Sequence, residues 1–392
     1  VSKEIEPRCG FCGVSQNEAA QLVKGLGSFI CDACVYDCLG VIEDSRKSDR
    51  KTFKAGSAGK SRPTPSQIKK HLDEYIIGQD KAKKILAVAV YNHYKRIHSK
   101  SEVEINKSNI LLVGPTGSGK TYTLETIARF LDVPFAIADA TTMTEAGYVG
   151  EDVESVLVRL VQNANGDIKK AEHGIVYIDE IDKIAASDGG SKGRDISGEG
   201  VQQGLLKLME GSIVSINPQG KKTANAPTEM IDTKNILFVC GGAFSGITQE
   251  KHKKRALGII NSKAAKEKDD IKAKDIVKYG MIPEFVGRLP VIAQLDSLST
   301  EDLKKILVEP KNALIKQYQE LLSMDGVNLK FKEEFIEEVA KRAQAEGTGA
   351  RGLRAIIEPA LTELMYKLPD EEAEQVEVGV DTLPPEEDKK NG

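Results

Sequence analysis

The sequence Gly114-Pro115-Thr116-Gly117-Ser118-Gly119-Lys120-Thr121 directly follows the apolar run Ile110-Leu111-Leu112-Val113. A short continuous apolar run reads as a buried strand, and this glycine spacing is that of a phosphate-cradling turn that runs into a helix. Together they require a strand with parallel neighbours and a helix starting at the far end of the turn. Gly114, Gly117 and Gly119 remove Cβ atoms where backbone N–H groups must converge on an anion. The helix expected from Thr121 to about Leu131 points its positive dipole end at the same place. Lys120 adds a full charge there, and the Thr121 hydroxyl suits Mg2+. The competing reading, a merely structural glycine turn, leaves the lysine and the hydroxyl without a purpose. Pro115, Thr116, Gly117, Ser118, Gly119, Lys120, Thr121 and Tyr122 are therefore the expected nucleotide contacts.

Further strand candidates follow at Pro134–Ala138, Ile175–Ile178, Ile236–Cys240 and Val291–Leu295, with helical segments between most of them. That alternation predicts an α/β fold, a parallel sheet with helices on both faces, whose ligands lie at the carboxyl ends of the strands. Gly174-Ile175-Val176-Tyr177-Ile178-Asp179-Glu180 delivers two adjacent carboxylates to such an end. Asp179 is expected to orient a Mg2+ shell and Glu180 to polarise an attacking water, so the pair points to hydrolysis and not binding alone. On its own an Asp-Glu pair at a strand end is also a common solvated turn.

The chain has 392 residues, 40% of them hydrophobic and 29% charged, which suits a globular protein of two or three domains. No run reaches the roughly 18 apolar residues of a membrane span. The stretch Val1–Glu6 is polar and unlike a signal peptide, so a cytoplasmic location is expected. The formal charge of −4 disfavours general nucleic-acid binding. Five of the six cysteines lie between Cys9 and Cys38. Cys9-Gly10-Phe11-Cys12 and Cys31-Asp32-Ala33-Cys34 form paired knuckles, and four thiolates at this spacing suit a closed tetrahedral Zn2+ site. Cys38 reads as a small buried residue.

Residues 1–44 form the zinc-binding unit, and 45–65 read as a flexible basic linker. A large domain is expected over 66–296, with a helix at Asp80–Arg96 presenting Ile85, Val88 and Ala89 on one face. Residues 186–200, 215–232 and 245–275 read as irregular or strongly charged. A smaller, mainly helical domain is expected over 297–378, with helices at Glu301–Leu307, Lys311–Leu322, Glu333–Ala345 and Leu353–Tyr366, and an acidic tail over 379–392. Three further segments have both a bland and a sharp reading. Gly147-Tyr148-Val149-Gly150 is a buried turn or a mobile apolar grip. Arg288 either pairs with Glu284 at helical spacing or stabilises phosphate charge on a neighbouring subunit. Arg351 is a basic residue at a helix start, where the dipole disfavours it unless an anion visits.

In this order these segments resemble the ClpX family of AAA+ unfoldases over nearly the whole chain. The residues that carry the resemblance are Ile76-Ile77-Gly78-Gln79, Ala87–Tyr94, Gly147–Asp152, Asp179-Glu180-Ile181-Asp182-Lys183, Ser197–Gln203 and Gly349–Arg354. The resemblance implies a homohexameric ring with ATP at subunit interfaces. It makes Ile76 and Ile77 adenine-pocket residues, Tyr148 and Val149 the axial pore loop, and 191–198, with Arg194 and Ile196, a second pore loop. Arg288 becomes a finger acting in trans and Arg351 the sensor arginine. Implied partners are tagged or unfolded proteins, the ClpP peptidase, and adaptors through the zinc domain.

Three positions depart from the family pattern. Leu257-Gly258-Ile259 lacks the aromatic of the usual aliphatic-Gly-Phe docking tripeptide, so ClpP docking is expected to be weaker or to use a different pocket. Lys221-Lys222-Thr223 lacks the histidine of the pore-entrance loop, which bears on tag recognition, and Tyr122 stands where a small or aliphatic residue is usual. The competing functions are a protease-independent chaperone, favoured by Leu257-Gly258-Ile259, and a zinc-bearing AAA+ remodeller of nucleic acid, favoured by the basic linker.

Overall fold

The computed structural model describes residues 7–25, 28–38, 63–99, 101–144, 151–186, 196–217, 228–247, 270–368 and 374–385. Tyr148, Val149, Arg194, Lys221–Thr223 and Leu257–Ile259 lie outside the described residues, as does the side chain of Ile196. The chain divides into two compact units, Val1–Lys60 and Ser61–Gly392.

In the first unit, strand β1 (Leu22–Lys24) pairs antiparallel with β2 (Phe29–Cys31), Leu22 opposite Cys31. Residues 32–38 are helical. Among the described residues of this unit, the buried apolar side chains are those of Cys9 and Cys31. Among the described residues no aliphatic core holds this hairpin together, which points to the cysteines and what they bind as the source of its stability.

In the second unit, five strands form one parallel sheet in the order β11–β3–β10–β7–β4: β3 (Ile110–Val113), β4 (Phe135–Asp139), β7 (Ile175–Asp179), β10 (Leu237–Gly242) and β11 (Val291–Gln294). Alternate residues feed two cores. Leu111, Val113, Val176, Ile178, Phe238 and Cys240 face one helical layer. Ile110, Leu112, Ile175, Tyr177, Leu237 and Val239 face the other, with Leu86, Val90, Leu124 and Ile127. Burial on both faces explains why these strands read as unbroken apolar runs.

Helix Asp80–Ile97 turns a different stripe to the sheet than the sequence reading expects. Ala82, Leu86, Ala87, Val90 and His93 are buried, Ile85 and Ala89 lie on the flank, and Val88 is exposed. The inward stripe runs in steps of three and four and includes a histidine, which an aliphatic-only pattern passes over. The segment 215–232 is not wholly irregular: β8 (Ile213–Ile216) and β9 (Glu229–Asp232) form an antiparallel pair. Ile213 and Met230 are exposed on it, which obscures the in–out alternation. Short parallel pairing also joins β5 (Met143–Thr144) to β6 (Glu151–Asp152). Residues 196–200, expected in a loop, open the helix Ile196–Glu210.

Helices Thr300–Val308, Leu314–Met324, Glu333–Ala345 and Ala350–Lys367 surround a separate core that includes Leu303, Tyr318, Phe335, Val339 and Ile357. Ser299 opens the first with a capping box to Asp302. This part is not purely helical, because β12 (Asn328–Phe331) pairs in parallel with β13 (Gln375–Val378). Nor does its core stop at 378. Val380–Thr382 form a 3-10 turn, and Leu383 is buried in the same core.

Candidate functional site

Strand β3 ends between β10 and β11, and the turn after it is tied to both neighbours. Gly114 N–H donates to Gly242 O (3.1 Å), and Leu295 N–H donates to Val113 O (2.7 Å). The loop is thus held at the carboxyl edge of the sheet, where open parallel sheets place their ligands. Ser118 is buried and its hydroxyl donates to Pro115 O (2.7 Å), closing the turn from inside. Gly117 has φ +75° and lies 3.0 Å, measured from an ideal Cβ position, from Gly349 Cα. A side chain there meets both a strained backbone and the Thr348–Gly349 turn.

Helix Lys120–Leu131 starts at this loop, with its positive dipole end toward it. Lys120 Nζ donates to Gly114 O (2.8 Å) and Pro115 O (3.1 Å), and burial lowers its pKa while Asp179 opposes that shift. The Thr121 hydroxyl donates to Asp179 Oδ2 (3.3 Å), so the hydroxyl and the carboxylate expected to share a cation do meet. Asp179 Oδ1 accepts from the Tyr177 hydroxyl (2.9 Å) and from Glu180 N–H (2.9 Å). Glu180 is exposed and takes a left-handed conformation, φ 55° and ψ 32°, which is uncommon away from glycine and asparagine. Such strain, of order 1 kcal/mol, gathers at functional positions.

Asp182, buried behind this pair, accepts from Ala243 N–H (3.2 Å) and Phe244 N–H (3.3 Å). It thereby fixes the turn after β10 next to the phosphate loop. Ile76 is buried and Ile77 half-buried in the loop between helix Pro65–Asp73 and helix Asp80–Ile97. Their loop is anchored by Lys83 Nζ, which donates to Ile76 O (2.9 Å), and by Gln79, whose side-chain amide exchanges hydrogen bonds with Asp296 N and O (2.8 and 2.9 Å).

The helical domain reaches the same loop directly. Ala350 N–H donates to Gly117 O (3.2 Å). Arg351, next in sequence, is exposed and acts electrostatically on Lys120. Asn312 Nδ2 donates to the Tyr122 hydroxyl (2.7 Å), which accounts physically for the tyrosine after the phosphate loop: it reaches across to the helical domain. Lys311 pairs with Glu74 (2.8 Å) beside that bond. Arg288 forms an ion pair with Glu210 (2.6 Å), a partner far off in sequence in place of the expected Glu284. The contributions of Gln79, Tyr177, Asp182, Glu210 and Asn312 were not legible at the sequence level. Gln79, Tyr177 and Asp182 fall inside recognised segments but carry no signal of their bonds, and Glu210 and Asn312 bond to partners far off in the chain.

In the first unit, the sulfur atoms of Cys9, Cys12, Cys31 and Cys34 all lie within 4.8 Å of one another, and Cys12 Sγ is 3.6 Å from Cys31 Sγ. Tetrahedral Zn–S bonds of about 2.3 Å place sulfurs about 3.8 Å apart, so the cage fits the ion. Backbone N–H groups, first that of Cys12, lower the Cys9 thiol to about 6. The neighbouring sulfurs Cys12 and Cys31 push Cys34 upward. Several thiols crowded together cannot all ionise unaided, and a divalent cation among them removes that conflict.

A parallel sheet with a phosphate loop, an acidic strand end and a helical domain touching the loop defines a P-loop ATPase of the AAA+ class. Residues 105–292 match the AAA domain (Cdc48 subfamily). Residues 7–44 match the ClpX C4-type zinc finger, and residues 298–378 match the C-terminal, D2-small domain of ClpB protein. These three matches, in this order, are consistent with a ClpX-type AAA+ protein. Its AAA domain makes it an ATPase in the general sense, and the zinc finger with its four clustered cysteines supports Zn2+ as the bound metal.

Proposed function

We propose that this protein is an ATP-driven hexameric unfoldase and translocase that feeds recognised proteins to a ClpP-type peptidase. The observation that carries the reading is the hydrogen bond from Ala350 N–H to Gly117 O. It joins the helical domain to the backbone that would hold the β- and γ-phosphates. A change of phosphate state at this loop therefore bears on a whole domain, as a motor requires and simple nucleotide storage does not.

ATP would be held by Ile76, Ile77 and the segment Pro115–Tyr122. Lys120 would pair with the phosphates, and Thr121 with Asp179 would hold Mg2+, which neutralises phosphate charge when bound. Glu180 would orient and deprotonate the attacking water. Arg351 would sense the phosphate from the helical domain, and Arg288 would reach a neighbouring subunit's nucleotide after leaving Glu210. Tyr148 and Val149, with Arg194 and Ile196, would grip the polypeptide. The Zn2+ unit would receive adaptors, and the setting would be the cytoplasm. Among the described residues no helix is long and apolar enough to cross a membrane.

One assay separates the readings. A stable fluorescent protein bearing a degradation tag is incubated with ATP, with and without a ClpP peptidase. ATP-dependent loss of fluorescence that becomes degradation only with the peptidase is expected. Loss of fluorescence without degradation in either arm identifies a protease-independent chaperone, the reading that Leu257-Gly258-Ile259 favours. No response to protein, with ATPase stimulated by DNA, contradicts the proposal.

A further inference from the structure

Tyr177 lies at the centre of β7, two residues before Asp179, and both side chains project from the same face of the strand. The ring is fully buried among Ile175, Leu237, Val239 and Leu124, yet its hydroxyl donates to Asp179 Oδ1 (2.9 Å). A tyrosine costs more to bury than the phenylalanine that would fill the same space, unless its hydroxyl has a partner worth keeping. Burial, with the Asp179 charge second, pushes this phenol upward, so it stays a hydrogen-bond donor at any working pH.

The neighbouring strand is shaped around the hydroxyl. Gly241 on β10 lies against it, and a Cβ at that position would overlap the Tyr177 oxygen and stand 2.7 Å from two ring carbons. Gly241 needs no unusual φ, so the absence of a side chain serves this approach.

We infer that Tyr177 is a positioning residue: with Glu180 N–H it occupies Asp179 Oδ1, which leaves Oδ2 turned to Thr121 to receive the divalent cation of a bound nucleotide. The role rests on the ATPase reading above. Glu180 N–H alone pins Oδ1 through an adjacent peptide. The phenol pins it from the core, through a ring that cannot move without disturbing the sheet. Without it Glu180 N–H alone holds Oδ1, and the Thr121–Asp179 pair is less firmly set for a cation.

The test titrates Mg2+ into the full chain carrying a fluorescent N-methylanthraniloyl-ADP, and reads binding and not turnover. In EDTA, Tyr177→Phe is expected to bind the nucleotide within about twofold of wild type, because the phosphate loop is untouched. Its Mg2+ half-saturation is expected to rise about tenfold, the usual effect of removing a group that orients a metal ligand. ATP hydrolysis by the variant then recovers as Mg2+ is raised. Gly241→Ala, which pushes the phenol away with its oxygen intact, shifts the half-saturation in the same direction. An unchanged Mg2+ half-saturation in either folded variant overturns the role, and so does an equal loss of affinity with and without Mg2+. If wild type itself shows no effect of Mg2+ on nucleotide binding, the cation reading of Asp179 fails, and the role of Tyr177 with it.

Discussion

Acid should weaken this protein through one histidine. His93 is buried on helix Asp80–Ile97, and its Nε2 sits 3.0 Å from Asn235 O. Arg96 donates to Lys234 O (3.1 Å) and Lys107 to Thr233 O (3.0 Å), so three basic side chains converge on the 3-10 turn at the start of β10. Burial, with the charges of Arg96 and Lys107 next, lowers the His93 pKa to about 3 from an ordinary 6.5.

Between those two values the unfolded chain binds a proton at this site and the folded chain does not. Stability therefore rises with pH across the window and falls as the pH drops from 6.5 toward 3. Between pH 7 and pH 4 the two pKa values give a loss of about 3 kcal/mol from this one group. His93→Gln retains an amide donor for Asn235 O and removes the titration. Urea unfolding of both proteins, followed by circular dichroism from pH 7 to pH 4, isolates the difference, because every other titrating group is common to both. The variant should gain about 3 kcal/mol on wild type over that range. Stability curves that run parallel from pH 7 to pH 4 would refute the assignment.

Other expectations concern the site. Tyr122→Phe and Asn312→Ala, with the double variant, should show a coupling of about 1 kcal/mol in urea unfolding; purely additive effects would mean the bond contributes nothing. Glu180→Gln should keep ATP binding while turnover drops at least about a hundredfold, and near-normal hydrolysis would remove Glu180 from the water-activating role. Elemental analysis of reduced protein should find about one zinc per chain, falling sharply in Cys12→Ser, since structural sites use all four thiolates. Metal-free protein with an intact first unit would contradict the cage.

The sheet was legible in the sequence because its inner strands β3, β7 and β10 are buried on both faces and all five strands are short apolar-rich runs. Ile110–Val113 agrees residue for residue, and the other four strands differ only at their ends. The phosphate loop and the cysteine cage were legible for a different reason, since their chemistry demands fixed spacings within one or two short segments. What escaped depends on partners far away in the chain. The inward stripe of helix Asp80–Ile97 includes His93, whose burial follows from the backbone of Asn235. The exposed Ile213 and Met230 made an ordinary hairpin look irregular. Pairing of Asn328–Phe331 with Gln375–Val378 reaches across two intervening helices, and no local pattern announces it. Tyr122 looked anomalous at the sequence level because its partner, Asn312, lies in the other domain.

The central claim is that hydrolysis at the phosphate loop is spent on moving a polypeptide. The most direct measurement follows ATP consumption and loss of native fluorescence from a tagged protein in one reaction, for wild type and Tyr148→Ala. The account predicts that the variant continues to hydrolyse ATP while unfolding stops. Unfolding that persists in the variant at the wild-type rate per ATP, or wild-type hydrolysis that never unfolds the tagged protein, would contradict it.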